Sequence, residues 1–358
     1  MEREALSVAK TVSIGIVGMG IGRTNGKAFA ASSRARVVAL CDVVQERMDS
    51  FAAELPKPVK TYSSYKDLCR DGEVDAVFVG TPNQLHVPVA LEAVRRGKHV
   101  LITKPLADSL PAARRLVSAA EAAGVVNMMS LSTRFGPACR YLASQVEKGA
   151  FGEIYYARAR SIRRSGIPDW SLGFITAGGG AFRDMGVHVL DAAWSLLGMP
   201  TPVSVSAVSG AKFGPKGKGY WDFHTPPRKL YRHYDCDDYA GGFIRFEGGL
   251  GLQVESFWAS HQPVEEAQVE LFGTEAGAGL DPLVIRRTVD GAPQDITINL
   301  PKGKSSWQAI ADHFVDCILD GRACKAPLRH GLIVQEMLEA VLASARKGRE
   351  VRLAAKGK

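Results

Sequence analysis

Five continuous apolar runs separated by helical patterns fill the first third of this chain, and no other feature constrains its fold as much. The runs are 12–17, 37–41, 75–80, 100–103 and 125–131, with a weaker one at 59–62. They are solidly apolar rather than alternating, as expected of strands covered on both faces. Helical patterns lie between them, such as 87–96 stopped by Gly97 and 111–123 stopped by Gly124. Strand–helix alternation of this kind predicts a doubly wound parallel sheet. The pattern then changes. A linking helix is expected over 135–148, a strand over 154–162 and a helix over 181–197, stopped by Gly198 and Pro200. From 203 to about 300 strand runs follow one another, with a hairpin of 239–246 and 250–258 around Glu247-Gly248-Gly249. Helices close the chain at 307–319 and 332–346. This half reads as an α+β domain with a mostly antiparallel sheet and helices on one face. The expected domains are 1–133 and 134–358, and 210–235 reads as a long excursion loop.

At 358 residues, 46% hydrophobic and 23% charged, the chain suits two globular domains. The net charge of +8 comes from dispersed basic residues without a basic tail or nucleic-acid motif, so nucleic acid is not an expected partner. Residues 1–10 lack the apolar core of a secretory signal, and no run reaches membrane-helix length. Six cysteines without a CxxC pair fit a reducing, cytoplasmic setting.

The first run leads straight into Gly18-Met19-Gly20-Ile21-Gly22-Arg23. A glycine turn between a first strand and a first helix lets the backbone approach a pyrophosphate at the helix N-terminus. Asp42 ends the second strand about twenty residues on, where an acid binds ribose hydroxyls and repels a 2′-phosphate. NAD is therefore expected over NADP. Thr81, Pro82 and Asn83 form a turn at the carboxyl end of the fourth strand, where ligands of such sheets bind. Asn83 suits both helix capping and cofactor contact. His86, one turn on, suits either packing or a ligand.

Thr103-Lys104-Pro105 ends the run at 100–103, and Asp184 and His188 stand at i and i+4 on one helix face. A lysine, a histidine and a carboxylate able to converge beside a nucleotide make an acid–base set for hydride transfer to or from an alcohol. His188 is the expected base, since imidazole titrates near neutrality. Lys104 would hydrogen-bond the reacting oxygen, and Asp184 a neighbouring hydroxyl. Asp191 suits tying its helix down better than chemistry. Arg158, Arg160, Arg163 and Arg164 either line a pocket or cover the sheet. Trp170 suits stacking on the nicotinamide or a sugar, or plain packing. Tyr239 and His261 are further pocket candidates. His224, His233, Cys236 and Asp237 match no standard zinc spacing, so no metal is expected.

The segments GIVGMGIGR, Asp42 after VVAL, GTPNQLHVPVALEAVRRGKHVLITKPLA and GGGAFRDMGVHVLD together resemble the Gfo/Idh/MocA family of glucose–fructose oxidoreductase and inositol dehydrogenase relatives. The likeness runs on through Asp238-Tyr239, Gly273-Thr274-Glu275 and SARKGREVRL. It implies a Rossmann domain that binds NAD(H) or NADP(H), contacts from Thr103 and Lys104 included. It implies a second domain whose open sheet forms homo-oligomers, as dimers or tetramers. Implied substrates are sugars, glycosides or cyclitols. Lys104 matches the lysine of the family's EKP motif, with Thr103 in place of the glutamate. Asp184 and His188 match its catalytic pair, and Arg134 an arginine near cofactor or substrate. Two further readings stay open: a redox-neutral enzyme that oxidises transiently on tightly held NAD, and an inactive ligand-binding regulator.

Overall fold

The computed structural model describes residues 11–353, so the reading of residues 1–10 lies outside them. The chain forms two compact units. One takes the residues through Ser132 together with Lys304–Leu332, and the other takes Thr133–Gly303 and the residues from Ile333 onward.

The first unit alternates β1 (Val12–Val17), α1 (Ile21–Ala30), β2 (Ala35–Cys41), α2 (Gln45–Ala52), β3 (Lys60–Tyr62), α3 (Tyr65–Arg70), β4 (Ala76–Val79), α4 (Asn83–Arg95), β5 (His99–Thr103), α5 (Leu110–Ala122) and β6 (Asn127–Ser130). All six strands are parallel, in the order β3-β2-β1-β4-β5-β6. The apolar runs are buried as their composition requires: every residue of β1 is buried, and Val100, Leu101 and Ile102 of β5 are fully so. α4 starts before its apolar pattern shows, because its first turn is polar apart from the exposed Leu85.

The second unit opens with α6 (Pro137–Glu147), β7 (Ile154–Ile162) and the short α7 (Leu172–Ile175). The expected helix over 181–197 is a π turn, Phe182–Gly186, running into α8 (Val187–Leu196). Then come β8 (Pro202–Gly210), the short α9 (Arg228–Tyr231), β9 (Tyr239–Phe246), β10 (Gly251–Phe257), β11 (Glu266–Gly273), β12 (Ala276–Leu280), β13 (Leu283–Val289) and β14 (Ala292–Thr297). After α10 (Ser306–Asp320) and α11 (Leu328–Lys347), β15 (Val351–Arg352) completes a nine-stranded sheet ordered β14-β13-β12-β11-β7-β10-β9-β8-β15. Only the β7–β10 pairing is parallel.

Strand alternation gives this sheet two different faces. Ala157, Ala159, Ala240, Ile244, Leu252 and Val254 face inward, in one core with Val187, Leu190 and Ala193 of α8. On the other face Arg160 pairs with Glu266 and Glu270, and Tyr156 stacks on Phe243 at 6.1 Å. Arg158, whose guanidinium lies over Phe272, shares that face, so Arg158 and Arg160 cover the sheet.

Two expectations change. Residues 304–332, assigned by sequence to the second domain, join the first unit, because Phe314 of α10 meets the edge of Phe29 of α1 and Arg34 pairs with Asp316 and Asp320. The 210–235 excursion is not loose. Phe213, Tyr220, Leu230, Tyr231 and Tyr234 pack with Ile167, Met185 and Trp258 into a small core of their own. The fully buried Asp238 organises its start by accepting the N–H groups of Lys212, Phe213 and Gly214.

Candidate active site

In the first unit the candidate cofactor residues gather at the carboxyl ends of the parallel strands. Gly18 adopts φ +90°, and a Cβ there would lie 2.6 Å from the Gly80 carbonyl oxygen. Only glycine fits this crossing of the β1 and β4 turns. A Cβ on Gly22 would lie 2.9 Å from Ile16 Cγ2, which fixes close packing of α1 on β1. Gly20 differs, since no atom lies within 4 Å of where its Cβ would be. Behind it α1 starts at Ile21 with no side-chain cap and no acid in its first turn. An uncapped helix start facing open space suits a pyrophosphate. Asp42 steadies this turn: Oδ2 accepts the Met19 N–H at 2.7 Å and Oδ1 the Val44 N–H at 3.0 Å. Each carboxylate oxygen keeps a lone pair for a ribose hydroxyl. The Thr81 and Ser130 hydroxyl oxygens, at the ends of β4 and β6, are buried without a hydrogen-bond partner. Buried polar atoms left unmatched at a ligand edge call for a polar guest. A dinucleotide fits this set.

Lys104 follows the buried Thr103 at the end of β5, before a cis bond to Pro105. Beneath it stands His86, which is fully buried. Its Nδ1 lies 2.7 Å from the Pro105 carbonyl oxygen and its Nε2 2.8 Å from that of Thr81. Burial pushes the ring below its ordinary pKa, and the two carbonyls pull it back. His86 is therefore no ligand to the cofactor. Its nitrogens tie the Thr81 turn to the Lys104-Pro105 turn.

Two further assignments change. Asn83 does not cap α4, because Pro82 holds the cap position and Asn83 is already helical. The Arg23 side chain turns to Phe51 of α2, which packs beneath it, and to Glu54 just past that helix, which balances its charge.

In the second unit Asp184 sits in the π turn and His188 one turn later in α8. π turns inside helices recur at functional sites. Asp184 Oδ2 accepts the Trp258 indole N–H at 3.1 Å. The start of this helix is clamped. Asp237 Oδ2 accepts the Phe182 N–H at 2.9 Å, and Ser256 donates to the Ala181 carbonyl at 2.9 Å. Gly180, at φ +111°, leaves room for Asp237, whose Oδ1 would lie 2.1 Å from a Cβ there.

Asp237 is only 8% exposed, and burial pushes its carboxyl up to about 6. A native pKa above the unfolded value means the native state holds the extra proton between the two. Its stabilisation is present at acid pH and lost as pH rises through about 6. Asp237→Asn keeps an acceptor for Phe182 and removes that loss. Between pH 5 and 7 the wild type should lose about 1.3 kcal/mol relative to the variant, as urea unfolding at both pH values would read. Parallel slopes would show that Asp237 does not titrate there.

Arg134 does not stand open to a ligand as the resemblance implied. Its Nε donates to Asp191 Oδ2 at 3.2 Å, a second nitrogen donates to Oδ1, and the guanidinium lies over Trp194. Asp191 ties its helix down, as its sequence position suggested. Tyr239 sits beside Phe257 on the face of the sheet away from α8, so strand alternation removes it from the surroundings of His188. Arg163 lies over Trp221 at 4.9 Å, and the edge of Trp170 meets Trp221 and Phe174. Trp170 is 62% exposed, so this aromatic group keeps a surface open to a ring. Around it, His224 pairs with Asp169, while Cys236 bonds the Phe174 carbonyl. Sequence reasoning passed over His313, Cys317 and Cys324, whose donor atoms converge. The signal available was His313 and Cys317 at i and i+4, with a glycine turn before Cys324.

This sheet, turn and acid define a dinucleotide-binding fold. The oxidoreductase-family model with an NAD-binding Rossmann fold matches residues 12–131, and the GFO/IDH/MocA C-terminal domain model matches 139–278. The chain is 31% identical to D-glucoside 3-dehydrogenase of Escherichia coli (strain K12), over 78% of this chain and 79% of the relative. It is 31% identical to the rhizopine catabolism protein MocA of Rhizobium meliloti, over 83% and 90%. Among solved structures, aldose-aldose oxidoreductase from Caulobacter crescentus, complexed with glycerol, superposes with a TM-score of 0.79 at 26% identity, over 96% of this chain and all of that one. The chain belongs to the Gfo/Idh/MocA family of oxidoreductases. Among the described residues no helix is long and apolar enough to cross a membrane.

Proposed function

We propose that this protein is an NAD-dependent dehydrogenase acting on a secondary alcohol of a sugar, glycoside or cyclitol. The observation that carries it is the uncapped α1 start behind Gly20, flanked by Asp42. The dehydrogenase relative at 31% identity supports the substrate class. When bound, the nicotinamide supplies the hydride acceptor. As the carbon gives up hydride, its hydroxyl must lose a proton, and His188 takes it. Lys104 offers a charged donor that stabilises negative charge developing on an alcohol oxygen. Asp184, held by Trp258, accepts a neighbouring hydroxyl. Arg163 and Trp170 offer a cation and a ring surface for orienting a polyol.

A panel of sugars, glycosides and cyclitols tested with NAD should yield net reduced nicotinamide with one class of them. Reduction of bound cofactor followed by reoxidation, with no net change, would replace this reading with the redox-neutral one. Failure to bind any nicotinamide dinucleotide would leave the regulator reading. Asp42→Asn should raise the Kd for NAD about tenfold, by weakening charge-assisted bonds to ribose, and lower that for NADP. An unchanged ratio of the two constants would remove Asp42 from cofactor selection. We also read the outer face of the nine-stranded sheet, with Val208 64% exposed, as the surface of self-association. Light scattering should then report a dimer or tetramer.

A further inference from the structure

We propose that His313, Cys317 and Cys324 form a binding site for a thiophilic divalent cation, zinc above others, that clips a loop over the edge of the parallel sheet. Among the described residues this is the one group of three or more His, Cys, Asp or Glu whose donor atoms converge, all within 4.8 Å of one another. The local fold explains the convergence. His313 and Cys317 lie one turn apart on α10, on one face. The helix ends at Gly321 with φ +64°, and the chain turns back to bring Cys324 over that face.

The spacing is that of a metal site waiting for small adjustments. In tetrahedral zinc sites, Zn–S and Zn–N lengths place the donor atoms roughly 3.5–3.8 Å apart. Cys317 Sγ and His313 Nε2 already stand 3.5 Å apart. The Lys325 N–H points at His313 Nε2 from 2.9 Å. Zinc would take over that nitrogen's lone pair, and the N–H would turn to a neighbouring thiolate. Two thiol protons leave to solvent as the ion enters. The two thiolates and a neutral imidazole then balance its charge, with water as fourth ligand. One imidazole and two sulfurs favour zinc over magnesium or calcium, which prefer oxygen.

The surroundings give the clip a purpose. β6 is the edge strand of its sheet. The loop that carries Cys324 runs along β6. The Met129 N–H donates to the Ala326 carbonyl at 2.9 Å, the Leu328 N–H to Asn127 Oδ1 at 3.1 Å, and the Cys324 thiol to the Asn127 carbonyl at 3.7 Å. Covering an edge strand blocks pairing with other chains. A metal joining α10 to this loop would hold the cover in place. None of the three ligands belongs to the proposed catalytic set, so the site is structural and independent of that reading.

The test titrates the full chain, reduced and stripped by chelator, with cobalt(II) alone as the probe. The expected result is one cobalt per chain, with a near-ultraviolet thiolate-to-cobalt charge-transfer band and the strong visible bands of tetrahedral coordination. Zinc should displace both sets. Cys317→Ser and Cys324→Ser should each lose the charge-transfer band, and zinc should raise the Tm of the wild type but not of the variants. No charge-transfer band in the reduced wild type, or a band unchanged in both variants, would overturn the proposal. If either variant misfolds by circular dichroism, alkylation of wild-type Cys324 decides. Zinc should protect it, and equal labelling with and without zinc, or a Cys317–Cys324 disulfide that forms regardless of zinc, counts against the site.

Discussion

Replacing Lys104 with alanine should lower kcat about a thousandfold while the protein still binds NAD. Acid–base and oxyanion contacts each contribute about 10²–10⁴-fold when lost, and Lys104 is the side chain proposed to meet the developing negative charge. The backbone argues that the loss would be confined to that contact. Lys104 stands just past three fully buried residues of β5, and the following carbonyl, that of Pro105, is held by His86 at 2.7 Å. Removing the side chain leaves this frame intact. The glycine turn and Asp42 rest on other strands, so dinucleotide affinity should change less than about threefold. Titration followed by tryptophan fluorescence would read the binding, and single-turnover reduction the chemistry. Turnover within about tenfold of wild type would remove Lys104 from the reaction. Loss of NAD binding together with turnover would make it a cofactor ligand instead.

The sheet around Lys104 was legible because its strands are buried on both faces. β1 has the bounds its apolar run suggests, and in the nine-stranded sheet β7 spans the expected residues and the hairpin of β9 and β10 turns on the expected Glu247–Gly249. Continuous apolar runs announce strands, and glycines announce helix ends. Partners far apart in sequence are a different matter. Nothing local tells that Glu54 balances Arg23, that His86 spans two carbonyls, or that Tyr239 falls on the sheet face away from α8. The side of a strand depends on parity, and one residue of register reverses it. The return of 304–332 to the first unit was hidden for a related reason. α10 is amphipathic, and amphipathicity names a buried face without naming what buries it. Cys317 and Cys324 were overlooked because six residues separate them, outside the spacings that flag metal sites. The tying role of Asp191 is legible because a carboxylate inside an apolar helix needs a partner.

That partner sets the largest stability effect expected in this protein. Arg134→Met should destabilise the second unit by about 3–5 kcal/mol. Asp191 is 1% exposed and the Arg134 side chain 9%, so the pair is cut off from water. Burial raises the carboxyl's pKa, and Arg134 alone among the charges acting on it opposes that rise. Without the guanidinium, Asp191 must either stay charged and unpaired or take up a proton, and both cost free energy. Packing is lost as well, since the guanidinium covers Trp194 in the core of α8. The expected drop in Tm is roughly 10 °C for a unit of this size. Pairing the change with Asp191→Leu should recover most of it, because an apolar pair carries no desolvation cost. The double variant therefore separates two roles for Arg134. An anchor gives a low Tm in the single variant, rescue in the double, and NAD affinity that follows folding. A cofactor or substrate ligand, as the resemblance implied, gives an unchanged Tm in the ligand-free single variant and a KM or Kd defect that Asp191→Leu does not repair. The bidentate contact with a fully buried carboxylate favours the anchor.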